Sequence, residues 1–152
     1  MRTKVLMVCL GNICRSPLAE GILSDKVNPR HIHVDSAGTA GYHIGKKPDH
    51  RSIAVAQKYN IDISQQRCRQ FSKEDFKNFD VIYAMDRSNY NNIITLADNK
   101  KDIDKVKLLL EVTSFEDQEV PDPYYDTDKG FEHVFYLIDT ACTHIAKQLK
   151  PN

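Results

Sequence analysis

The stretch V-C-L-G-N-I-C-R-S-P, Val8 to Pro17, closes an apolar run near the start of the chain and enters a turn built of residues that pack poorly in a core. Upstream, K-V-L-M-V-C from Lys4 to Cys9 is too uniformly apolar to alternate, which predicts a strand buried on both faces, as in a parallel sheet. Downstream, Ser16-Pro17 predicts a helix N-cap with proline at the first helical position. A stripe of Leu18, Ala19, Ile22, Leu23 and Val27 follows. Strand, glycine-containing turn and helix are therefore expected in immediate succession.

The same alternation continues along the chain. Ile32 to Ala37 predicts a second strand, followed by a glycine-rich loop from Gly38 to Gly45, and Pro48 and Asp49 open a second helix through about Tyr59. A helical turn closes at Phe76 to Phe79, Asp80 to Met85 is a third strand, Ser88 to Ala97 a helix, and Lys105 to Leu110 a fourth strand. A polar, acidic loop containing V-P-D-P-Y-Y precedes Phe131, Val134, Phe135, Ile138, Ala141, Cys142, Ile145 and Leu149, whose spacing predicts a long closing helix. Strands alternating with helices imply an α/β three-layer sandwich with a mostly parallel four-stranded sheet. Ligands of such folds bind beyond the C-terminal ends of the strands, where the opening turn sits.

The 152 residues fit one domain, 1–152, with no repeat, low-complexity stretch or linker to divide it. Lysine plus arginine and aspartate plus glutamate both number 21, so no bulk attraction to nucleic acid or to a membrane surface is expected. No apolar stretch approaches the ~20 residues needed to span a bilayer, and the chain reads as cytoplasmic. Four cysteines are too few for a disulfide scaffold, and Cys9, Cys14, Cys68 and Cys142 lack zinc-ligand spacing. His31 and His33 would share one strand face, where exposed histidines are the simpler reading. Asp126 to Gly130 lacks the ligands of a complete calcium loop. No metal site is expected.

The chemistry is concentrated in the opening turn. Successive backbone N–H groups at a strand-to-helix turn form an anion-binding nest, and the helix N-terminus adds partial positive charge. Arg15 supplies a planar fork that matches two phosphate oxygens. Cys9 lies at the mouth of this nest, where such surroundings favour a thiolate. A thiolate aimed at phosphate is a nucleophile for phosphoryl transfer through a phosphocysteine. Such a reaction needs a general acid, and Asp122, fixed between Pro121 and Pro123, is the candidate; protonated at first, it would next act as base toward water. The competing readings are plainer: Cys9 as a small buried hydrophobe, Arg15 as a surface ion-pair partner, Ser16 as an N-cap, Asn12 as a left-handed turn residue, Ser36 as a strand-end hydroxyl and Asp122 as a turn acid.

Cys-x5-Arg-Ser at the first strand-to-helix turn, together with Asp-Pro-Tyr-Tyr near the end, resembles the low-molecular-weight protein tyrosine phosphatases. The resemblance extends through D-S-A-G-T at Asp35 to Thr39, S-K-E-D-F at Ser72 to Phe76 and A-M-D-R-S-N at Ala84 to Asn89. It implies a flavodoxin-like sheet, no cofactor, Cys9 as nucleophile, Arg15 as phosphate clamp and Asp122 as acid and base. It further implies that Leu10, Gly11, Asn12, Ile13, Cys14 and Ser16 surround the phosphate, that Asn12 and Ser36 bond to each other, and that the Ser16 hydroxyl stabilises the thiolate. Tyr42 and Tyr124 would wall the substrate ring, with Tyr125 beside them. Gln66 stands where some members carry a histidine that supports Asn12.

The implied activity is hydrolysis of phosphotyrosine in proteins and of aryl phosphates, fastest at acidic pH, by a monomer. Alternatives are an arsenate reductase on the same fold, which needs relay cysteines in a mobile segment; a phosphoarginine phosphatase, whose family members carry threonine where Ile13 stands; and a non-catalytic phosphate-binding adaptor. Cys14 either packs under the loop or pairs reversibly with Cys9. Tyr124 and Tyr125 are rim residues or sites of regulatory phosphorylation. Tyr42, His43, Lys46, Lys47 and Tyr124 form the expected rim for substrate selection.

Overall fold

The computed structural model describes residues 2–149. Its elements run β1 (Thr3–Cys9), α1 (Arg15–Lys26), β2 (Ile32–Gly38), α2 (His50–Lys58), α3 (Glu74–Asn78), β3 (Val81–Ala84), α4 (Arg87–Ile94), α5 (Lys100–Asp104), β4 (Val106–Leu108), a 3-10 turn (Leu109–Val112) and α6 (Asp128–Leu149). All strands pair in parallel, in the order β2-β1-β3-β4. The chain leaves β1 first toward β2 and later returns to its other side as β3. The C-terminal end of β1 is therefore the switch point at which doubly wound sheets bind their ligands.

Strand β1 sits at the centre because both of its faces are apolar. Val5, Met7 and Cys9 join a core with Leu18 and Ile22 of α1, Val55 of α2 and Phe131, Ile138 and Ile145 of α6. Leu6 and Val8 point the other way, into a second core with Phe71, Phe76, Phe79 and Ile93. The two clusters fill the two spaces of the three-layer sandwich, and the period-2 alternation of one strand supplies both.

Four local features differ from the sequence reading. The N-cap of α1 is Cys14, without a side-chain cap; Ser16 and Pro17 already lie inside the first turn, because the Ser16 hydroxyl is engaged elsewhere. Strand β4 ends at Leu108, and the 3-10 turn takes over. Helix α5, capped by Asn99 accepting from the Asp102 N–H, buries no residue and so leaves no apolar period in the sequence. His31 precedes β2 instead of sharing its face with His33, whose ring stacks on Phe79.

Candidate active site

The turn between β1 and α1 is held from behind by its carbonyls. Cys9 O accepts from Thr39 N (2.9 Å), Leu10 O from Ala40 N (2.9 Å) and Ile13 O from Asp49 N (2.8 Å). Asn12 O accepts from Cys68 Sγ at 2.7 Å, and Cys14 O from Ser52 Oγ at 3.4 Å. By contrast, none of the N–H groups from Leu10 to Cys14 donates to another protein group among the described residues. A nest whose acceptors are occupied and whose donors are free is an anion site. The β2 end approaches it so closely that a Cβ on Gly38 would stand 2.7 Å from Leu10 O.

Asn12 is the internal strut. It adopts the left-handed conformation (φ 56°), which asparagine tolerates better than most residues. Its amide nitrogen donates to Ser16 Oγ (2.8 Å) and Ser36 Oγ (3.0 Å), and its Oδ1 accepts from Arg69 N (3.0 Å). Ser36 Oγ in turn donates to Glu20 Oε1 at 2.6 Å. Ser16 Oγ lies 3.0 Å from Cys9 Sγ. Gln66 does not support Asn12 here; its Nε2 donates to Pro17 O, and its buried Oε1 has no hydrogen-bond partner among the described residues.

Arg15 is almost wholly buried, and its Nη1 donates to Asp86 Oδ2 (2.6 Å) and Val120 O (3.0 Å). Its Nη2 faces Asp122 Oδ2 across 3.8 Å. Burial opposes the Arg15 charge, but the Cys9 sulfur and the Asp86 and Asp122 carboxylates outweigh it and hold the guanidinium above its usual range. Asp122 Oδ1 accepts from Tyr124 N at 3.1 Å, a local turn that leaves Oδ2 toward Arg15.

Cys9, Leu10, Gly11, Ile13, Cys14, Arg15, Tyr42, His43, Asp122, Tyr124 and Tyr125 line a cleft of about 340 Å³. The side chains of Asn12, Ser16 and Ser36 stand behind the loop as its supports, while the Asn12 N–H remains among the free donors of the nest. Lys46 and Lys47 are exposed and do not line the cleft. Burial pushes the Cys14 thiol up to about 12, with Asp49, Cys9 and Asp122 adding to the effect. Cys68, isolated in sequence, packs against the loop, and burial pushes it up to about 11. Glu20 and Arg51 were not singled out from sequence, and Asp49 was read only as opening the second helix, which it caps. Asp86 carried a signal through the A-M-D-R-S-N motif.

Comparison with known proteins places this geometry. Residues 4–152 match the family described as low molecular weight phosphotyrosine protein phosphatase. A Synechocystis sp. relative named as a putative low molecular weight protein-tyrosine-phosphatase is 45% identical over 151 residues, 96% of each chain. The crystal structure of an Entamoeba histolytica protein tyrosine phosphatase with Hepes in the active site superimposes with a TM-score of 0.90 at 36% identity, covering 97% of this chain and 96% of that one. Vibrio vulnificus Wzb in complex with benzylphosphonate gives 0.86 at 30% identity, covering 97% and 99%.

Proposed function

The chain belongs to the low-molecular-weight phosphotyrosine protein phosphatase family, a family of hydrolases acting on phosphoproteins, and from that premise we propose the residue roles that follow. Cys9, as thiolate, attacks phosphorus in line with the ester oxygen; the P–O bond breaks, and Asp122 gives its proton to the departing phenolate oxygen. The ionised Asp122 then takes a proton from water, whose oxygen attacks the phosphocysteine and releases phosphate and the Cys9 thiolate. The Ser16 hydroxyl, 3.0 Å from the sulfur, donates to the thiolate in both its free and departing forms. Arg15 and the loop N–H groups carry the charge on the equatorial oxygens, the electrostatic task a metal would otherwise serve.

The observation that carries this reading is the convergence of Cys9, Arg15 and Asp122 on one cleft, with Tyr42 and Tyr124 among its lining residues. Ile13 adds an apolar surface that suits a flat ring better than a guanidinium. Cys68 and Cys142 are buried within the fold, which does not suit a disulfide relay of arsenate reduction. Acting as one domain, the chain is proposed to work as a monomer in the cytoplasm; no helix among the described residues is long and apolar enough to cross a membrane.

The test is hydrolysis of para-nitrophenyl phosphate with chelator present. Cys9→Ser should abolish turnover, Asp122→Asn should reduce it by roughly 100-fold or more, and acid quench should trap phosphate on Cys9. A native, fully reduced protein that binds vanadate without turnover would make the site a phosphate-docking module instead.

A further inference from the structure

One side chain outside the cleft ties its two catalytic halves together. Arg51, in the first turn of α2, grips both oxygens of Asp49 through Nε and Nη2, each at 3.0 Å. The same guanidinium donates to Tyr124 O (2.8 Å) and Asp126 O (3.3 Å) and lies over the rings of Tyr124 and Phe131, 5.6 and 4.6 Å from their centroids. Asp49 is itself bound to the nucleophile loop, its N–H donating to Ile13 O at 2.8 Å. A continuous path thus runs from the phosphate loop through Asp49 and Arg51 to the turn that carries Asp122.

The Asp122 turn needs such a tether. Between Val112 and Asp128 the chain forms no helix or strand. Before Asp122 it is pinned at Val120, whose N–H donates to Met85 O and whose carbonyl accepts from Arg15. Beyond Asp122, the hydrogen bonds that tie Tyr124 and Asp126 to another element among the described residues are those of Arg51; the rest lie within the turn, Tyr124 N to Asp122, Asp126 N to Pro123 and Thr127 N to Asp126. Only an arginine can grip a carboxylate with one edge, reach two carbonyls and still lie flat on aromatic rings. A lysine would supply a single point charge.

We propose that Arg51 is a positioning residue for proton transfer, fixing Asp122 against the phosphate loop at the distance the leaving oxygen requires. The proposal rests on the assignment of Asp122 as general acid. A proton donor works only within about 2.6 to 3.2 Å of the atom it serves, and a displacement of about 1 Å costs on the order of 100-fold in rate.

The experiment compares kcat/KM for phenyl phosphate, whose leaving phenolate needs the proton, with that for dinitrophenyl phosphate, whose leaving group does not. The chains are the native protein, Arg51→Met, which keeps an apolar stem over Phe131, Arg51→Lys, Asp122→Asn and the double variant Arg51→Met/Asp122→Asn. The expected result is a loss of roughly 10-fold or more for phenyl phosphate in Arg51→Met, with dinitrophenyl phosphate and the vanadate inhibition constant within about twofold of native. Arg51→Lys should show the same dependence on leaving group, and it carries the test if Arg51→Met does not fold. Adding Arg51→Met to Asp122→Asn should cost nothing further, because the group being positioned is gone. Equal losses on both substrates, or additive losses in the double variant, overturn the positioning role while leaving Asp122 in place. An Asp122→Asn variant with no dependence on leaving group overturns the general-acid assignment itself, and the role of Arg51 falls with it.

Discussion

Glu20→Gln should stabilise the protein at neutral and alkaline pH. Glu20 lies on α1 behind the phosphate loop, with Oε1 accepting from Ser36 Oγ at 2.6 Å. Burial pushes its carboxyl up from 4.5 to about 7; Asp35 on β2 adds to this, and the Ser36 hydrogen bond and Arg69 oppose it. Between those two values the folded chain keeps a proton that the unfolded chain has released. Stability therefore falls as pH rises through that window, and the loss is complete above about 7. At 1.36 kcal/mol per pH unit the full loss is about 3 kcal/mol, and roughly 2 to 3 kcal/mol of it falls between about pH 5 and pH 8. Glutamine carries no such charge, and its amide oxygen still accepts from Ser36. Urea unfolding of both proteins at the two pH values isolates the effect, because titrations common to both cancel in the difference. The advantage of the glutamine variant should grow by that amount from the lower pH to the higher. Parallel stability profiles, with a difference changing by less than about 0.5 kcal/mol, would refute a buried Glu20 that ionises at a cost.

Gly38→Ala would force a methyl against Leu10 O at 2.7 Å, backbone that cannot yield without moving the loop. It should destabilise the fold by about 1–3 kcal/mol and weaken vanadate binding in calorimetry. Asp86→Ala leaves the buried Arg15 guanidinium without its 2.6 Å partner, and a loss of about 3–5 kcal/mol in urea unfolding is expected, with weaker inhibition by inorganic phosphate. Replacing Lys46 and Lys47 with alanine removes two exposed cations that form no ion pair among the described residues. Turnover of para-nitrophenyl phosphate should hold while preference for acidic over neutral phosphopeptides declines; unchanged discrimination would remove these lysines from the specificity rim.

What could be read from the sequence was whatever is local. The turn from Cys9 to Arg15 declares itself because strand, nest and helix start lie side by side in the chain, and the apolar runs of β1 and α6 declare their layers through period. Asp122 was legible only beside the opening turn, whose chemistry needs a general acid, since a proline-flanked acid in a loop is otherwise an ordinary turn residue. The partners that fix these groups were hidden by distance: Asp86 reaches Arg15 across 71 residues, and Arg51 reaches Tyr124 across 73. Glu20 was hidden differently, as a polar residue on a helix whose other face is apolar, which normally marks a solvated side. Ser16 was misplaced as a cap because Ser-Pro is a sound local signal, overridden here by tertiary partners at Cys9 and Asn12.

That override shows how the fold produces the chemistry. A serine capping its own helix would turn its hydroxyl oxygen to accept from a backbone N–H and so away from the sulfur and the Asn12 amide. By starting the helix two residues earlier, at Arg15, the chain leaves the Ser16 hydroxyl to Cys9 and Asn12, while the N–H groups it might have capped stay available to an anion. The cost is an uncapped helix end, of about 1 kcal/mol, and a left-handed Asn12, offset by three hydrogen bonds that tie the loop to α1, β2 and the segment at Arg69. Since Gln66 makes none of those bonds, rigidity of the nucleophile loop passes through Ser36 to Glu20. In this chain, then, the group that stiffens the loop is the same buried acid whose ionisation lowers stability above neutral pH. The loop's preorganisation and the protein's pH dependence share one carboxylate.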